Sequence, residues 1–147
     1  MLTGLILTDT RRVASVLSTS QSKVIETISA YISACTSYIC WQLVDISDEV
    51  YNDSDKTEWR TYVSALNDFY IGLGLQGSNY CPLFILGGDD VVPMPRIPNP
   101  LTAVGEEDLH SDIAYCFEST TVNPRLEDYI SLKPRFAVGR LPLINEW

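Results

Sequence analysis

The sequence predicts an α/β fold: an open, mostly parallel sheet flanked by helices, in flavodoxin-like order, with a loop-rich C-terminal third. Three observations carry this. Short apolar, β-rich runs recur along the first 86 residues, two segments with three- and four-residue apolar spacing separate them, and prolines crowd the region that follows. Strands alternating with helices fold as a parallel sheet covered on both faces, joined by right-handed crossovers.

The first run, Leu2 to Thr8 (LTGLILT), ends at Asp9, as a buried parallel strand does when its carboxyl end opens into a loop. From Ser22 the apolar residues Val24, Ile25, Ile28, Tyr31, Ile32, Cys35 and Ile39 keep helical spacing, which predicts a helix from Ser22 to Ile39. Trp41 to Ile46 (WQLVDI) is the second strand, followed by a polar loop from Ser47 to Asp55. Asp55 and Glu58 have the form of a capping box for a second helix, whose buried face runs from Trp59 to Leu73 and which Gly72, Gly74 and Gly77 end.

Tyr80 to Leu86 (YCPLFIL) is the most apolar strand and belongs at the centre of the sheet. Four prolines, at 93, 95, 98 and 100, bar a helix or an inner strand between Pro93 and Gly105 and predict an extended surface loop. Ile113 to Phe117 and Arg135 to Val138 are two further short strand candidates.

At 147 residues the chain is sized for one domain, and its 46% hydrophobic and 20% charged residues are a globular balance. Ten Lys and Arg against nineteen Asp and Glu leave a net charge of -9, which repels phosphate backbones and anionic lipid; neither nucleic acid nor membrane is an expected partner. No apolar run is long enough to span a bilayer, and the apolar start lacks the basic residues and cleavage site of a signal peptide. Cys35, Cys40, Cys81 and Cys116 have no Cys-x-x-Cys spacing and a single histidine to join them, so neither a metal nor another cofactor is expected. They read as reduced, buried thiols of a cytoplasmic protein.

Asp9, Asp45, Asp48, Asp89 and Asp90 all fall at the carboxyl edge of the predicted sheet, where open α/β folds bind ligands. Turn and cap chemistry accounts for them better than metal binding. Gly87-Gly88-Asp89-Asp90 is like the acidic turn of nucleotide cyclases and polymerases, but it leads into prolines rather than into a second strand. A receiver-like phosphoacceptor domain would need a lysine ending a later strand, and Lys133 precedes its strand instead. His110 and Cys116 are six residues apart, yet the histidine lies in a polar loop and the cysteine beside Tyr115 and Phe117. Cys116 therefore reads as a packed thiol, not a nucleophile.

Three elements in order, LFILGGDDVVPMP, HSDIAYCFE and PRFAVGRLP, resemble the front half of gingipain-type cysteine peptidases, the relatives of caspases and CHAT domains. The matching residues are Gly88, Asp89 and Pro93, then Ser111, Asp112 and Tyr115, then Val138, Gly139, Arg140 and Pro142. In that family the catalytic His lies in a Gly-His-Gly turn and the nucleophilic Cys ends the next strand, both downstream; neither pattern occurs here, so no catalytic residue is carried over. The resemblance implies a non-catalytic first subdomain, inactive alone, whose partner is the catalytic half of the same peptidase or another protein chain. The alternative is a non-enzymatic interaction domain of the same fold. In either case Gly87 and Gly88 are expected to allow a tight exit from the strand, Asp112 to accept backbone N–H groups in the proline loop, and Arg140 to pair with Asp89 or Asp112.

Overall fold

In the computed structural model, residues 2–35, 37–47, 58–75, 81–98, 108–117 and 134–142 are described. Strand β1 (Leu2–Thr8) passes directly into helix α1 (Thr10–Val16), whose N-terminus Asp9 caps by accepting from the backbone N–H groups of Arg11 and Arg12. This helix is absent from the sequence reading, because seven residues make too few turns to show a period. At its far end Ser18 adopts a left-handed φ of 50°, unusual for a residue with a Cβ.

Helix α2 (Gln21–Ala34), capped by Ser20, stops five residues short of the predicted end. Ile39 keeps the helical spacing, but it starts strand β2 (Ile39–Asp45), where it pairs with Leu2. Helix α3 (Trp59–Gly72) starts one residue after Glu58, which sits at the N-cap and makes no side-chain capping bond. The predicted capping box is thus not formed as written, since it needs the glutamate inside the first turn; Asp55, like Gly77, lies outside the described residues. Gly74, at φ 67°, closes α3: its N–H bonds to Ile71 O and that of Leu75 to Tyr70 O.

Strand β3 (Cys81–Leu86) tolerates Pro82 because of where the ladder begins. Cys81 donates to Arg135 O on one side, so Pro82 is turned toward β1, where pairing starts only at Leu83. Arg96–Pro98 (β4) and Asp108–His110 (β5) then form a small antiparallel hairpin, with Ile97 buried. The proline-rich stretch is therefore not loop throughout: a two-stranded ribbon apart from the main sheet accepts prolines that an inner strand would reject. Ile113–Cys116 is a 3-10 turn, not a strand. The last strand, β6 (Phe136–Leu141), runs through Gly139 and Arg140 instead of ending before them.

The main sheet is all parallel, in the order β2-β1-β3-β6. The predicted open parallel sheet with flanking helices is what the chain forms, with β3 between β1 and β6. Alternation puts Leu5, Leu7, Leu83, Ile85 and Phe136 on the face that α3 covers with Tyr62, Val63, Leu66 and Tyr70. There Tyr70 meets Phe136 edge to face, with centroids 5.3 Å apart. Ile6, Phe84 and Leu86 point to the opposite face, toward α1 and α2. Trp41 lies so close over Gly4 that an added Cβ would meet its ring at 2.7 Å. No helix among the described residues is long and apolar enough to cross a membrane.

Candidate functional site at the carboxyl edge

The carboxyl ends of β1, β3 and β6 meet at one edge of the sheet, and the two acidic groups on the β1–β2 side are occupied by turn chemistry. Asp9 is buried as the α1 cap. Asp45 accepts from Thr10 N, Thr10 Oγ1 at 2.6 Å and Ser47 N, and Gln21 closes the group by donating to Thr10 and Ser47. The crevice between β1 and β3 is bridged by Thr8 Oγ1 donating to Leu86 O at 2.8 Å. Among the described residues no group of three or more His, Cys, Asp or Glu is arranged to hold a metal ion, and Asp48 lies outside them.

On the β3–β6 side the centre is Arg140, whose side chain is only 7% exposed. Its guanidinium grips Asp112, with Nε 2.8 Å from Oδ2 and Nη2 on Oδ1. Nη1 donates to Gly87 O and Val92 O at 2.8 Å each and to Gly88 O at 3.2 Å. A planar fork with five N–H groups is suited to this task, joining a carboxylate to several carbonyls at once.

The loop after β3 is held by two more donors. Tyr62 of α3 gives its hydroxyl to Val91 O at 3.0 Å, and Tyr115 of the 3-10 turn gives its own to Pro93 O at 2.7 Å. Both phenols are pushed well above their ordinary range, chiefly because burial disfavours the phenolate. Gly87, at φ 125°, makes the exit turn; an added Cβ there would stand 2.5 Å from Val91 Cβ.

Two expected roles change hands. Asp112 takes the Arg140 fork instead of backbone N–H groups, while Asp89 takes the N–H of Met94 and lies 3.9 Å from His110 Nδ1. Asp89 and His110 are both nearly half exposed, so their pairing is weak. Ser111 supplies a turn, its Oγ accepting from Ile113 N while its N–H donates to Pro95 O. Gly88, Asp89, Pro93, Ser111, Asp112, Tyr115 and Arg140 are thus brought together. Gly139 is not: it lies opposite Phe84, on the α2 face. Sequence reasoning missed Tyr62, which looked like one more apolar-face residue of α3. Its only sign was a hydroxyl in a fully buried stripe.

The expected burial of the thiols holds for Cys81 alone, with Cys35, Cys40 and Cys116 half-buried, and neither Cys81 nor Cys116 is activated. Burial pushes Cys81 up to about 11 and raises Cys116, which the Asp112 carboxylate raises further. Cys116 Sγ points at Asp112 O and His110 at Asp89, so the two do not form a nucleophile and base. The edge is a braced scaffold presenting Asp89, Asp90 and His110 to solvent. Comparison with protein-family models, curated proteins and solved structures finds no match to this chain.

Proposed function

We propose that the chain is the non-catalytic N-terminal portion of a caspase-like, gingipain-type cysteine peptidase, whose His and Cys come from a downstream segment or a second chain. The observation that carries this reading is the convergence of its three matched elements on one side chain. Arg140, of the third element, bonds the loop of the first and the aspartate of the second. Motif residues scattered by chance over 53 positions, from Gly87 to Arg140, would not be expected to share one hydrogen-bond centre. The raised thiols support a scaffold without its own nucleophile.

The test is thiol labelling of the natural protein by a peptide carrying a cysteine-directed warhead, read by mass spectrometry. The expected adduct is on a cysteine outside these 147 residues, with the isolated chain inert and turnover unchanged in Cys116→Ala and His110→Ala. An adduct on Cys116, or turnover lost by orders of magnitude in either folded variant, would remove the assignment. Absence of any thiol-dependent activity in the natural protein would favour the interaction domain.

A further inference from the structure

We draw no further inference here: the strongest candidate, the apolar groove between Ile28 and Tyr31 of α2 and Phe84, Leu86 and Leu141 on the β3–β6 face, is an unpartnered apolar surface, and nothing among the described residues shows what covers it.

Discussion

Replacing Arg140 with alanine should be the most damaging single change at the carboxyl edge. The guanidinium satisfies Asp112 and the carbonyls of Gly87, Gly88 and Val92, and its side chain is 7% exposed against 24% for that of Asp112. Each buried acceptor left without a donor costs about 1–3 kcal/mol, and breaking a buried ion pair by removing one partner costs about 3–5 kcal/mol. Because the Asp112 side chain is 24% exposed, it counts as a fourth acceptor and not as a fully buried pair, and at the low end of about 1 kcal/mol for each of the four groups the expected loss is about 4 kcal/mol. A domain of this size has about 5–15 kcal/mol to lose, so the variant should still fold, with its urea midpoint lowered by about 2 M at a slope of about 2 kcal/mol/M. Arg140→Lys keeps the charge without the fork and should lose about half as much. The assay is urea unfolding followed by the fluorescence of Trp41 and Trp59, with Asp112→Ala and the double variant completing a cycle. A loss under about 1 kcal/mol at unchanged slope, or a coupling near zero, would show that Arg140 decorates the edge without bracing it.

Three further outcomes follow from the same geometry. Tyr62 and Tyr115 have raised folded-state values, so the stability they contribute is whole below pH about 10 and is lost as pH climbs above it. Unfolding free energy should fall by about 1.4 kcal/mol per pH unit for each phenol, and Tyr62→Phe or Tyr115→Phe should remove one such step in an alkaline series of denaturant melts. Ser18→Gly relieves a left-handed φ of 50° and should stabilise the fold by about 0.5–1 kcal/mol by thermal unfolding; a lower midpoint would mean that the Ser18 side chain is held by something more. Gly87→Ala adds a Cβ 2.5 Å from that of Val91 at a φ of 125° and should cost about 2 kcal/mol or more; an unchanged midpoint would refute the tight exit turn.

The strands of the main sheet were legible because their burial demands long apolar runs, and the runs survive in the sequence whatever joins them. The strand starting at Ile39 was the hard boundary, since one isoleucine satisfies both a helical spacing and the pairing with Leu2, and only the pairing across the sheet decides. Helix α1 was hidden by brevity. The turn at Ile113–Cys116 was read as a strand because four apolar or aromatic residues carry no period of their own. At the site, the Arg140 pairing was foreseeable from charge at a strand end, and Asp112 was one of its two candidates. Which aspartate takes the fork and which takes a backbone N–H depends on where the 3-10 turn and the exit loop lie in space, which neighbouring residues do not encode.

Why the edge needs so many side-chain donors follows from the loop itself. Gly87 turns the chain out of the sheet, and prolines at 93 and 95 withhold backbone N–H groups, so carbonyls between Gly87 and Pro93 cannot all find partners in a ladder. Arg140, Tyr62 and Tyr115 reach them from a strand, a helix and a 3-10 turn, each element anchored separately in the core. A segment tied from three directions is held in one place, and because each tie bonds a different carbonyl, removing one lets its part of the loop shift. The exposed Asp89, Asp90 and His110 therefore stand on a rigid base. Whatever meets this edge meets a surface already shaped, so little ordering entropy opposes docking there, and substitutions at the three ties should weaken a partner's grip through position while those at Asp89, Asp90 and His110 act on contact.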